Sequence, residues 1–219
     1  MQEPQNARRL VDILACGLEN TQVASEQARA FVANSVEAMR ESTLERNSKP
    51  AASMLRYDGW ESLLALAEGQ RKDGLVAAIA TLERENIPWI EGSHFWPDQK
   101  YQYFAQRMCG ALLMGEPGAA FYTQERFILL LHVMAPHTTY PLHEHRIPEG
   151  YYIVGGHPEF TGDGDHWIAQ PPGSLYYNKS WAPHAIRTKA QPMLSINIYL
   201  PPFGWDGGLV PCEPKTLGG

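Results

Sequence analysis

The sequence predicts a mainly β protein, with a small C-terminal β-barrel or jelly roll behind an N-terminal α-helical region. Three observations carry this expectation. Composition changes near Pro97, from a segment rich in Ala, Leu, Glu, Arg and Gln to one rich in β-branched and aromatic residues. Ahead of the change, apolar residues recur at helical spacing. Behind it, short apolar runs alternate with Gly and Pro at close intervals, which is the texture of a sandwich or barrel. The chain thus divides into a helical region, 1–97, and a β-barrel domain, 98–219.

In the helical region, Leu10, Ile13, Leu14 and Leu18 form one stripe, followed by Val23, Ala30, Phe31, Val36 and Met39. Ser53 to Glu68 and Asp73 to Glu85 are two further helical stretches. The breaks at Asn20-Thr21, Asn47 to Pro50 and Gly69 to Gly74 have the polar, Gly and Pro chemistry of turns. In the second region the expected strands are Phe127 to Met134, Tyr151 to Gly155, His166 to Ala169, Leu175 to Asn178, His184 to Thr188 and Leu194 to Leu200. The run Thr161 to Asp165, TGDGD, signals a hairpin. From Gly207 onward the sequence reads as a poorly ordered tail.

Charge and cysteine usage narrow the function. A formal net charge of -6, with scattered basic residues, argues against nucleic acid or an anionic membrane surface as partner. No apolar stretch is long enough to span a bilayer, and the first residues lack the apolar core of a signal peptide. Cys16, Cys109 and Cys212 are far apart and odd in number, so no disulfide framework is implied and a reducing cytoplasm is the expected setting. A small-molecule partner fits best.

The densest chemistry lies between Tyr140 and Tyr151, in YPLHEHRIPEGY. On a strand His143 and His145 share a face, as does Tyr151 if the strand resumes. Glu149 has the same parity, and a bend at Ile147-Pro148 tilts it toward the imidazoles. Two imidazoles and a carboxylate form a divalent-metal site, and His184, downstream of Pro171-Pro172-Gly173, completes the set. Such a set suits one divalent transition metal ion: Zn, Fe, Mn, Co or Ni. The plain alternatives are surface histidines on an exposed strand and core tyrosines in a sheet. The remaining histidines fall outside the pattern, and Cys109 has no base near it in sequence.

The motif HxHxxxE (His143, His145, Glu149), the pair Gly155-Gly156, and Pro171-Pro172-Gly173 leading to His184 resemble the two cupin motifs, with a longer final gap than the family norm. Within cupins, Tyr140 five residues before His145, the extension to HxHxxxExY at Tyr151, and Ser180-Trp181-Ala182-Pro183-His184 are similar to the dimethylsulfoniopropionate (DMSP) lyase group. The motif resemblance covers roughly Tyr140 to Tyr199.

That resemblance implies a carbon–sulfur lyase that splits the zwitterion DMSP into dimethyl sulfide and acrylate by β-elimination. It implies Tyr151 as general base and Tyr140 as an orienting group or alternative base. A sulfonium offers no hydrogen-bond donor, so aromatic faces are expected to hold it: Trp181, Tyr122, Tyr177 and Tyr199, with Tyr176 a further candidate. Other metal-dependent cupin enzymes, dioxygenases or isomerases, and a non-catalytic ligand-binding cupin stay open as alternatives. Three roles are open to the helical half: capping the barrel, shaping the pocket or forming a homodimer contact.

Overall fold

The structure is a computed structural model that describes residues 4–47, 57–116, 119–203 and the backbone of 207–209. Four helices open the chain: α1 (Gln5–Glu19), α2 (Glu26–Glu41), α3 (Trp60–Gln70) and α4 (Leu75–Glu83). Two single-turn helices follow, α5 (Gly92–Phe95) and α6 (Gln102–Ala105).

The apolar stripe of α1 is what buries it. Leu10, Leu14 and Leu18 are fully inaccessible, each contributing about 1.5–3 kcal/mol relative to exposure. In α2 the buried face is Ala28, Phe31, Val36 and Met39; Ala30, expected on that face, is exposed, and Val23 lies in the loop before the helix. Ser25 caps α2 by accepting from the Ala28 amide at 3.0 Å, while Glu26 and Arg40 suit the helix dipole at the two ends. The stretch expected from Ser53 becomes helical at Trp60, and residues 53–56 lie outside the described residues.

The strands are β1 (Glu45–Arg46), β2 (Ile90–Glu91), β3 (Met108–Gly115), β4 (Tyr122–Thr123), β5 (Ile128–Met134), β6 (Thr139–His145) and β7 (Glu149–Gly155). After them come β8 (Glu159–Thr161), β9 (Ile168–Ala169), β10 (Leu175–Asn178), β11 (His184–Arg187), β12 (Met193–Tyr199) and β13 (Gly207–Leu209). One sheet runs β1-β4-β3-β5-β12-β7-β10 with β2 on β3, and the other runs β13-β6-β11-β8-β9. All described pairings are antiparallel except β3 with β4. The TGDGD segment does turn a hairpin, between β8 and β9. The chain expected to trail off at Gly207 instead forms β13, which pairs with β6 along Gly207 to Leu209.

Two cores result. The larger joins α1–α4 to the outer face of the eight-stranded sheet, so the helices form a layer on that sheet. Packing there is close: a Cβ on Gly17 would run into the Tyr152 hydroxyl, and one on Gly150 would lie 2.6 Å from the Phe31 ring. Tyr152 also accepts from Arg71 Nη2 at 2.9 Å, pinning the end of α3 to β7. The smaller core lies between the sheets and contains Phe104, Met134, Tyr151, Ile153, Phe160, Ile186 and Met193. Among the described residues, no helix is long and apolar enough to cross a membrane.

Candidate metal centre

His143 and His145 stand on the inner face of β6, and His184 opens β11 directly opposite His143. All three are at least nine-tenths buried. Each imidazole is oriented by its own backbone. Nδ1 of His143 faces the Pro141 carbonyl at 2.8 Å, that of His145 the Ile147 carbonyl at 2.7 Å, and that of His184 the Ala182 carbonyl at 2.9 Å. A carbonyl only accepts, so each Nδ1 carries a hydrogen, and each neutral ring offers its Nε2 as the ligand atom. A ligand atom from each ring falls within 4.8 Å of the other two.

Glu149 reaches this cluster from the other sheet. The turn at Arg146–Pro148 carries the chain from β6 across to β7, so the carboxylate does not share a strand face with the histidines but opposes them. Its Oε2 lies 3.1 Å from His145 Nε2 and 3.5 Å from His184 Nε2. Its Oε1 accepts from Asn197 Nδ2 at 2.9 Å and from the Tyr199 hydroxyl at 2.5 Å. Burial pushes this carboxyl up, but interaction with His145 and His184 outweighs it and holds the group well below the usual carboxylate range. Burial and the neighbouring His184 hold His143 far below the ordinary histidine value, so it is neutral and able to ligate. For His145, burial opposes protonation and the hydrogen bond to Glu149 overcomes it, raising the group.

These residues fit a divalent transition metal. Among the described residues His184 Nε2 is buried with no hydrogen-bond partner, an arrangement that costs about 1–3 kcal/mol unless something occupies the lone pair. Backbone carbonyls behind the imidazoles, and Asn197 and Tyr199 behind the carboxylate, supply the outer contacts that orient metal ligands.

A cavity of about 390 Å³ opens between the sheets beside the cluster. Tyr140, Tyr151 and Tyr199 line it, with His143, His145 and Glu149. Strand register sets its floor: Tyr199 lies opposite Glu149, Asn197 opposite Tyr151, and His132 opposite Ser195. Tyr151 is buried, its ring centroid 6.3 Å from His184 and 6.2 Å from His132. Burial and the Glu149 charge push its phenol well above the ordinary tyrosine value. Tyr140 stacks on His143 at 3.9 Å and accepts from Trp96 Nε1 at 3.0 Å.

Three aromatic residues expected at the substrate site lie elsewhere. Tyr122 is buried on the helical side of the sheet, where its hydroxyl donates to Glu85 Oε2 at 2.6 Å. Tyr177 packs on Phe31, on that same side. Trp181 is half exposed in the turn before β11 and lines no part of the cavity. Tyr199 lines the cavity, and its hydroxyl is committed to Glu149. Trp96, Asn197 and His132 were not foreseen. The one signal was His132 itself, a lone polar residue inside the apolar run ILLLHVM.

The sequence profile of the dimethylsulfoniopropionate lyase family matches residues 23–195. The chain belongs to that family. DMSP lyases are carbon–sulfur lyases, which sets the chain among enzymes rather than ligand sensors. It is 26% identical over 150 residues to dimethylsulfoniopropionate lyase DddQ of Ruegeria pomeroyi, covering 68% of this chain and 69% of the relative. The crystal structure of DddQ from Ruegeria pomeroyi DSS-3 superposes with a TM-score of 0.59 at 17% identity, covering 94% and 96% of the two chains. A chain from the crystal structures of the DMSP lyases RdDddP and RnDddQII gives a TM-score of 0.65 at 18% identity, covering 94% and 98%. At these identities the superpositions speak for the fold alone, which is mainly β with N-terminal helices, as the sequence predicts.

Proposed function

We propose that this protein is a metal-dependent DMSP lyase that forms dimethyl sulfide and acrylate by β-elimination, with Tyr151 as the base. The observation that carries this reading is the placement of Tyr151: a buried phenol on the cavity floor, two residues beyond Glu149 and beside the histidine cluster. His143, His145, His184 and Glu149 would hold the ion, and their mixed nitrogen and oxygen donors suit Zn, Fe, Mn, Co or Ni. When bound, such an ion supplies Lewis acidity to the substrate carboxylate and a positive potential that lowers a neighbouring phenol's pKa.

The chain's own groups do the rest. Tyr151, as phenolate, takes the proton α to the carboxylate. The electrons left on that carbon form the new double bond, and the bond from the β-carbon to sulfur breaks with its pair staying on sulfur. Neutral dimethyl sulfide leaves, so no acid is required. Tyr140, held by Trp96 and stacked on His143, orients the substrate. Trp96, Phe95 and Tyr140 supply aromatic faces along the cavity, where a sulfonium binds by cation–π attraction while water is excluded.

The test is dimethyl sulfide in the headspace above purified protein supplied with DMSP and each first-row divalent metal in turn. Release that is lost in Tyr151→Phe at unchanged metal content supports the proposal. No release with any metal, or a Tyr151→Phe variant of wild-type rate, overturns it.

A further inference from the structure

Of the buried side-chain nitrogens without a hydrogen-bond partner among the described residues, that of His132 alone belongs to a residue lining the cavity. His132 is 7% exposed, sits in the middle of β5, and is no member of the histidine cluster. An imidazole with no hydrogen-bond partner is costly to bury, and its persistence in the wall of a cavity marks a place where a ligand can supply one.

The chemistry of the lining says which ligand. Among the described residues no lysine or arginine lines the cavity, so an anion entering it meets no cationic side chain from them. Most other donors are already committed: Asn197 and Tyr199 to Glu149, Trp96 to Tyr140, and the clustered imidazole Nδ1 atoms to backbone carbonyls. Burial lowers His132 to about 4, so near neutral pH it is an uncharged ring with one N–H and does not repel a cationic substrate.

We propose that His132 is a substrate-anchoring residue whose ring N–H donates to the carboxylate of a small carboxylate-bearing substrate. This rests on the lyase reading and deepens it. The ring of His132 lies 6.2 Å from that of Tyr151, so a carboxylate held there lies near the base. A carboxylate has two oxygens, and an anchor at His132 leaves one free for an ion held by the cluster.

The experiment measures binding by calorimetry on the metal-loaded protein, with two probes. One is 3-(methylthio)propanoate, a carboxylate without the sulfonium charge; the other is trimethylsulfonium, the charge without a carboxylate. His132→Leu is expected to weaken the carboxylate probe about 10-fold or more and leave trimethylsulfonium within about 2-fold. His132→Asn, whose amide keeps an N–H donor on this side chain, is expected to retain most carboxylate affinity. With DMSP the Leu variant should raise KM more than it lowers kcat. In the wild-type protein, which needs no substitution, the ring ¹⁵N resonances of His132 should shift on adding the carboxylate probe alone.

Equal loss of both probes in the Leu variant, an unmoved ¹⁵N resonance, or no wild-type affinity for the carboxylate probe overturns the assignment. Normal carboxylate binding without dimethyl sulfide release would sink the lyase reading and leave the anchor standing.

Discussion

Tyr199 donates its hydroxyl hydrogen to Glu149 Oε1 at 2.5 Å, from the position directly opposite it in the pairing of β12 with β7. Both side chains are buried, and Asn197, two residues earlier, donates to the same oxygen. The carboxylate therefore presents Oε2 to the histidines in one orientation.

Removing that hydroxyl should loosen the metal site without emptying the cavity. Tyr199→Phe is expected to lower metal affinity about 10- to 100-fold, the usual effect of losing an outer contact to a ligand. Competition with a chromogenic chelator reads this directly, and activity at saturating metal should recover most of its value. Unchanged affinity would mean that Asn197 alone orients Glu149.

The two tryptophans near the site should behave differently. Trp96→Ala removes a cavity wall and the hydrogen bond to Tyr140, and is expected to raise KM for a sulfonium substrate about 5- to 30-fold. Trp181→Ala removes a half-exposed ring outside the cavity and should leave KM within about 2-fold. Steady-state kinetics on both variants decides the matter, and a large effect at Trp181 would relocate the substrate.

The pH dependence of stability carries a signature of His132. Its folded pKa is about 4 against an ordinary value of 6.5, so between these pH values the unfolded chain binds the extra proton. Stability from this group is therefore fully present above pH 6.5 and falls as pH drops toward 4, by about 3 kcal/mol at most. Denaturant unfolding of the wild type and His132→Asn at several pH values should show the wild type losing more across that window. Parallel curves would mean the imidazole is solvated.

The helical layer should be sensitive to a single methyl group. Gly17→Ala places a Cβ against the Tyr152 hydroxyl and is expected to destabilise the fold by about 1–3 kcal/mol. In a Tyr152→Phe background the same substitution should cost less, because the clashing oxygen is gone. A double-mutant cycle in denaturant measures the difference, and full additivity would show that the backbone yields elsewhere.

How much of this was readable in the chain depended on distance along it. Leu175–Asn178 is a strand with the expected bounds, and β5, β7, β11 and β12 differ from expectation by two residues or fewer at either end, because period and punctuation are local signals. His143, His145 and Glu149 were legible for the same reason, lying within seven residues. What was not legible is anything set by strand pairing. The commitment of Tyr199 to Glu149 depends on a register 50 residues apart in sequence. Trp181 lies three residues before His184 in sequence, but it is half exposed, with a left-handed backbone at φ 56°. Trp96 enters the cavity from a segment 44 residues before its partner Tyr140, and no periodicity announces that. Glu149 and the histidines are neighbours in sequence, yet the short turn between them changes sheets, which parity along one strand does not reveal.

The pairing of β13 with β6 has a consequence for how copies of the protein meet. Without Gly207 to Leu209, β6 would be an edge strand, and its open backbone groups would invite another chain to add a strand there. The strand so exposed is the one carrying His143 and His145. This short C-terminal piece thus acts as a guard against edge-to-edge association at the place where misassembly would most directly disturb the metal ligands.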